Sequence, residues 1–175
     1  VDPSTESQTE VQTKENIFSA DLQDVFSDHG ALAYSLTAFE ERQEQLDMAV
    51  MVKDTIENNS TSVIEAGTGV GKSMAYLIPA IQYAKDKDKR VVISTNTINL
   101  QDQLMEEDLP IAAWVVRSAH KSYASNDVKY SVLKGRRNYL CLKKFRYFAS
   151  REQLDKTETI LISKILVWLD TTLTG

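Results

Sequence analysis

The 175-residue chain holds one cysteine, Cys141, and a single thiol excludes an internal disulfide framework. Long apolar runs are missing too. None approaches the roughly 20 residues that a membrane-spanning helix needs, and no secretory signal pattern is visible. These absences point to a soluble, cytoplasmic protein. No internal repeat is present. Proline is scarce at three residues and glycine at six, and half of the glycines (Gly67, Gly69 and Gly71) fall in one short loop. With 42% hydrophobic content, the chain can bury the core of one domain and part of another. It begins at Val1, and its last motif-like run breaks off at Thr174-Gly175, so a piece of a longer protein is expected.

The glycine-bearing loop reads Ala66-Gly67-Thr68-Gly69-Val70-Gly71-Lys72-Ser73. It follows the apolar run Ser62-Val63-Ile64 and opens a helix-like stretch from Met74 to Lys85, the strand-loop-helix setting of a phosphate-binding P-loop. Its glycines permit crowded or left-handed backbone, so successive N–H groups can turn toward an anionic phosphate. Lys72 adds a positive charge over the β and γ oxygens. Ser73 stands at the helix start, where its hydroxyl can ligate Mg²⁺ and the helix N-terminus favours negative charge. Ala66 replaces the glycine usual at the first position and is small enough for the tight turn. The phosphates of a nucleotide and Mg²⁺ are the ligands this loop suits, with Lys72 and Ser73 as the catalytic pair.

Charge is unevenly spread. Residues 1–60 carry 3 Lys/Arg against 13 Asp/Glu, and the remainder 17 against 12. Between Lys134 and Arg151 there is no acidic residue, and Arg136, Arg137, Lys143, Lys144 and Arg146 are interleaved with Tyr139, Phe145, Tyr147 and Phe148. Such a segment can neutralise phosphates and stack on bases. Taken alone, it fits equally a solvated basic helix face with its aromatics in the core.

Residues 1–14 are rich in Ser, Thr, Glu and Gln, bury almost nothing, and read as a disordered linker. Ile17 to Tyr34 has a helical pattern broken near Asp28-His29-Gly30. A helix is expected from Glu41 to Glu57, ended by Asn58-Asn59-Ser60. Val63–Glu65 and Val91–Ser94 suit short buried parallel strands on either side of the Met74–Lys85 helix, with the right-handed crossover such units adopt. Pro79 should kink that helix or mark its first turn. A further helix is expected from Asn99 to Leu109, ended by Pro110, and a third strand over Lys129–Leu133.

Four stretches in this order resemble one family, the DinG-like branch of the superfamily-two DNA helicases, relatives of the eukaryotic repair helicase XPD. Glu65 to Ala80 resembles its motif I. Phe39-Glu40-Glu41-Arg42-Gln43-Glu44-Gln45 is similar to its adenine-reading Q motif, and Ser94-Thr95-Asn96-Thr97-Ile98-Asn99-Leu100-Gln101-Asp102-Gln103-Leu104 to motif Ia. Lys134-Gly135-Arg136-Arg137-Asn138-Tyr139-Leu140-Cys141 resembles the opening of an iron-sulfur domain. The resemblance covers roughly residues 25–175.

The resemblance implies roles residue by residue. Gln45 would read adenine, since an amide can both accept from its amino group and donate to a ring nitrogen; without the resemblance it is an ordinary exposed helix residue. Phe39 and Arg42 would flank the base. Thr95, Asn96, Thr97 and Gln101 would hold DNA phosphates, although Thr97 or Asn99 equally suits a helix N-cap. Arg136, Arg137, Lys143 and Lys144 would contact the strand. Cys141 would be the first of four cluster ligands, against its plainer reading as a small buried hydrophobe.

An apolar strand ending in Asp-Glu, the motif that holds Mg²⁺ and orients water, is absent. Ile165 to Asp170 imitates it, but Leu161, Ile165, Trp168 and Leu169 follow the spacing of a packed helix and no Glu follows Asp170. The expected fold is therefore an α/β, RecA-like P-loop lobe with a parallel sheet over residues 15–133, then the start of a helical iron-sulfur insertion over 134–175. The implied parent is an ATP-dependent DNA helicase of DNA repair, a monomer that moves 5′ to 3′ on single-stranded DNA and unwinds duplex. The Asp-Glu motif and the second motor lobe are missing, so this fragment alone should not hydrolyse ATP, and with three cluster ligands missing it should not assemble the cluster. A P-loop kinase would share motif I but has no need of motif Ia or a basic aromatic segment. A nucleotide- or DNA-binding module without turnover is the third reading.

Overall fold

The computed structural model describes residues 20–119 and 128–172, so the expected linker over residues 1–14 lies outside the described part. The chain divides into two compact units, residues 1–131 and 132–175. In the first unit α1 (Leu22–Val25) and α2 (Ala31–Ser35) lead into the longer α3 (Gln43–Glu57) and α4 (Lys72–Lys87). Then come α5 (Ile98–Gln103), a π-helical turn (Leu104–Asp108) and α6 (Leu109–Ala119) in one continuous helical run.

The break expected near Gly30 separates α1 from α2. Asp21 caps α1, accepting from Gln23 N at 2.8 Å. Gly30 is required by close approach, for a Cβ there would lie 2.0 Å from the Asp24 carbonyl oxygen. Helix α3 ends at Asn58, and Asn59 follows at φ +49°.

The core forms around α4, which packs against α3 and α6, while α2 packs against α6. Ala75, Leu77 and Ile78 are fully buried with Ala31, Leu32, Ala49, Ala112 and Val115. Each large side chain removed from water in this way contributes about 1.5–3 kcal/mol. Pro79 sits inside α4 and is itself buried, and the helix continues past it to Lys87.

Two expectations about the later helices are corrected. Pro110 does not end the helix after motif Ia. The π turn, in which Leu109 N donates to Leu104 O, precedes it, and the helical run continues through Pro110 into α6. In the second unit, α8 (Lys156–Thr171) forms as expected with a complete Asp155/Glu158 capping box but is not packed. It buries no residue, and Leu161, Leu166, Val167 and Trp168 are exposed.

The largest departure concerns the sheet. No residue among those described is paired into a strand. Residues 63–65, 91–94 and 129–133 have no strand or helix conformation, with Val63 94%, Val92 90% and Leu133 83% exposed. A β-strand is held by a ladder to a neighbour's backbone N–H and C=O groups, and no such ladder forms among the described residues. No described helix is long and apolar enough to cross a membrane.

Candidate nucleotide site and basic segment

The P-loop turns between Ile64 and the first residue of α4. Gly69 and Gly71 lie at φ +82° and +80°, in the region that a side chain disfavours. Gly71 is the N-cap of α4, so the loop delivers its last peptide to the positive end of a sixteen-residue helix. Lys72 Nζ donates to the carbonyl oxygen of Ala66 at 3.1 Å and to that of Gly67. Its ammonium therefore lies over the loop, and Ser73 follows it, half-buried on the first turn. Thr68 is exposed and Val70 half-buried. No neighbour comes within 4 Å of a Cβ built at Gly69.

The start of α3 reaches this loop. Gln45 is 7% exposed, a buried polar residue rather than a surface one. Its Nε2 donates to the Gly71 carbonyl oxygen at 2.8 Å. Arg42 donates from Nη1 to the Gly69 carbonyl oxygen, while Glu40 accepts from its Nε at 3.2 Å and its Nη2 at 2.8 Å. Phe39 is half-buried against the hydrophobic core. Arg42 and Gln45 are thus gathered with the P-loop through its backbone.

Glu40 and Tyr76 carry no role in the sequence reading. Glu40 stands two residues ahead of the arginine it orients, a spacing with no distinctive signature. Tyr76 lies one helical turn after Ser73. Burial pushes its phenol above the usual tyrosine value, a side-chain hydrogen bond with Ser73 pulls it back, and the Asp108 carboxylate raises it further.

In the motif Ia stretch, Thr97 caps α5, its hydroxyl oxygen accepting from Leu100 N at 3.2 Å. Thr95 Oγ1 donates to the Thr97 carbonyl oxygen at 3.2 Å. Asn96 is exposed and Gln101 half-buried on α5.

In the second unit, Arg136 and Arg137 form a short 3₁₀ turn (Arg136–Asn138) and are exposed. The Tyr139 hydroxyl accepts from Lys134 N at 2.8 Å and closes this turn. Lys143 and Lys144 project from α7 (Leu142–Ala149), both exposed, while Phe145 on the same helix is buried. Arg151 stacks over Phe148 with its guanidinium 4.2 Å from the ring centroid, and pairs with Glu158 at 2.7 Å. Arg136, Arg137, Lys143 and Lys144 thus face outward and Phe145 inward, while Tyr147 is exposed with the cations. Cys141 is exposed at the N-cap of α7, contrary to its plainer reading as a buried hydrophobe. One thiolate cannot hold an iron-sulfur cluster, which needs four ligands, and no group of three or more His, Cys, Asp or Glu side chains among the described residues could hold a metal ion.

A model of the DEAD/DEAH box helicase family matches residues 41–148, from within the Q-motif stretch into α7. The chain belongs to the DEAD/DEAH box helicase family. Family membership implies a RecA-like P-loop fold and accounts for the order of motifs around Lys72.

Three relatives within this helicase family illustrate the likeness. The chain is 41% identical over 155 residues to the "ATP-dependent DNA helicase YoaA" of Haemophilus influenzae, covering 88% of this chain and 22% of the relative. It is 36% identical over 145 residues to the "3'-5' exonuclease DinG" of Bacillus subtilis, covering 83% and 15%. It is 44% identical over 114 residues to the "ATP-dependent helicase DinG" of Mycobacterium tuberculosis, covering 65% and 17%. The DinG-like resemblance read from the ordered motifs agrees with these names. The chain spans about a fifth of the length of these curated relatives. No solved structure matches it.

Proposed function

We propose that this chain is the nucleotide-binding start of an ATP-dependent DNA helicase. The observation that carries the reading is the P-loop itself: Gly69 and Gly71 at positive φ, Lys72 over the loop and Ser73 on the first turn of a buried helix, in a chain of the DEAD/DEAH box helicase family. The loop's residues fit a nucleotide's phosphates. Gly67 to Gly71 supply backbone N–H donors, the α4 N-terminus supplies partial positive charge, and Lys72 supplies an ammonium that exchanges loop carbonyls for phosphate oxygens. Ser73 is the candidate Mg²⁺ ligand. When bound, Mg·ATP supplies the phosphoryl group whose hydrolysis drives movement. The residues here orient it, and transition-state charge on the transferred group falls to Lys72.

Residues 15–133 form the first part of motor lobe one, and the extended runs 63–65, 91–94 and 129–133 become strands of its parallel sheet when strands beyond this chain pair with them. Residues 134–175 begin an iron-sulfur insertion in which Cys141 is one cluster ligand and the other three lie outside this chain. Single-stranded DNA is held by Thr95, Asn96, Thr97 and Gln101 on the first unit and by Arg136, Arg137, Lys143 and Lys144 on the second, contacts that read phosphate rather than sequence. The complete protein acts as a cytoplasmic monomer, moves 5′ to 3′ and separates duplex DNA. The "ATP-dependent DNA helicase" name of the Haemophilus influenzae relative supports the helicase part of this reading.

The test uses the complete protein that carries this sequence, with duplexes bearing a 5′ or a 3′ single-stranded tail. Unwinding of the 5′-tailed duplex, dependent on Mg·ATP, is expected. Unwinding of the 3′-tailed duplex alone would overturn the direction. ATP hydrolysis that neither single-stranded nor duplex DNA accelerates would overturn the helicase reading in favour of a phosphotransferase.

A further inference from the structure

Helix α6 has two faces of different character. Ala112, Val115, Val116 and Ala119 are buried in the core, while Pro110, Ala113, Trp114 and Arg117 recur at the i, i+3, i+4 and i+7 spacing of a second face. That second face and the run 128–130 line a cavity of about 430 Å³. Both walls belong to the first unit, and Val128 packs against the hydrophobic core. Pockets that take up small molecules run to about 300–1,000 Å³, so the space is large enough for a ligand of nucleotide size.

The lining combines two aromatic rings with two cations. Trp114 and Tyr130 are 36% and 42% exposed, and Arg117 and Lys129 are exposed as well. No carboxylate is among the described residues that line the cavity. Indole and phenol rings open to solvent offer flat apolar area on which a base can stack whatever its identity. A guanidinium and an ammonium beside them supply charge-assisted donors for a phosphate. An aliphatic anion would leave the rings uncovered, and a neutral aromatic would leave the cations unmatched. A base that carries a phosphate uses both.

We propose that this cavity is a second nucleotide-binding site, in which Trp114 and Tyr130 stack on a base while Arg117 and Lys129 hold its phosphate. The ligand is a nucleotide unit, either a free mononucleotide or one unpaired nucleotide of a nucleic-acid strand. The site shares no residue with the P-loop, and phosphoryl transfer does not depend on it.

Photocrosslinking of the complete protein tests this, with excess Mg·ADP occupying the P-loop. The two probes are 5-iodo-dUMP and an oligo-dT strand bearing one 5-iodouracil, and peptide mass spectrometry reads where each attaches. Attachment at Trp114 or Tyr130 is expected. If the mononucleotide attaches, the site takes free nucleotide; if the strand alone attaches, it takes an unpaired nucleotide of a strand. Arg117→Gln combined with Lys129→Gln, at exposed positions that keep both rings, should weaken the attaching probe about tenfold or more, as for the loss of hydrogen bonds to a charged group. Circular dichroism, melting temperature and ATP hydrolysis without DNA should stay at wild-type values, so failure here is distinct from failure of the P-loop reading. Unlabelled dTMP should displace 5-iodo-dUMP, or the strand if that alone attaches, at a concentration about fivefold or more below that needed for deoxyribose 5-phosphate, which lacks the stacking base. Attachment of neither probe at Trp114 or Tyr130 overturns the proposal. So does attachment that the double variant leaves unchanged. Displacement by deoxyribose 5-phosphate or hexaglutamate as readily as by dTMP would show the cations acting without the rings, an anion or acidic-peptide site rather than a nucleotide site, and overturns it too.

Discussion

Gln45 Nε2 donates to the Gly71 carbonyl oxygen over 2.8 Å, joining the first turn of α3 to the residue that caps α4. This contact leaves no room for a side chain at position 71. A Cβ there would lie 2.2 Å from Gln45 Nε2, on a backbone at φ +80°. Gly71→Ala is therefore expected to cost about 1–2 kcal/mol in backbone strain and to push the amide off the carbonyl. Melting temperature should fall, and Mg·ATP affinity should fall about tenfold or more. Unchanged values for both would show that the loop tolerates a left-handed alanine and does not need the contact.

Leu77 is fully buried in α4 where the helix meets its neighbours. Leu77→Ala should lower unfolding free energy by about 2–5 kcal/mol, measured by urea denaturation, without touching a P-loop group. A loss under about 1 kcal/mol would mean that α4 is not the centre of the core.

Much of the first unit was legible in the sequence. The P-loop, α3, α4 and the break at Gly30 follow from glycine placement and helical periodicity, because helices make their hydrogen bonds locally. The sheet expected over 63–65, 91–94 and 129–133 does not form among the described residues: a strand depends on partners distant in the chain, and periodicity reports only a segment's own pattern. Pro110 misled for a related reason: a π turn over Leu104–Asp108 leaves no sequence mark, yet it lets the helix run on. At the site, the resemblance to the helicase Q motif pointed to Arg42 and Gln45. Their contacts with Gly69 and Gly71 needed the three-dimensional path of the chain, as did the part played by Glu40.

The exposed cations of α7 make a prediction in salt. If Lys143 and Lys144 each neutralise one phosphate, changing both to Gln should flatten the slope of log affinity for single-stranded DNA against log salt by about 0.7 for each phosphate no longer neutralised. Fluorescence anisotropy of the complete protein across a salt series reads this slope. An unaltered slope would place these lysines away from the strand.

Cys141 makes another. In the complete protein Cys141→Ser should remove visible absorption and bound iron, because a serine oxygen is a poor substitute for thiolate toward iron. Mg·ATP binding at Lys72 should persist. Iron content equal to wild type would exclude Cys141 as a ligand.

If Lys72 serves ATP-driven chemistry, the steady-state rate of DNA-stimulated ATP hydrolysis by the complete protein and its Lys72→Ala variant will show it. Lys72 lies half-buried at the start of α4 and bonds loop carbonyls, those of Ala66 and Gly67, so the fold should survive, as circular dichroism will report. Loss of a cation that meets transition-state charge costs about 3 kcal/mol, on the order of a hundredfold in rate. Hydrolysis at least that much slower, with unwinding abolished, is the predicted result. A folded Lys72→Ala variant that hydrolyses ATP and unwinds duplex at the wild-type rate would contradict it.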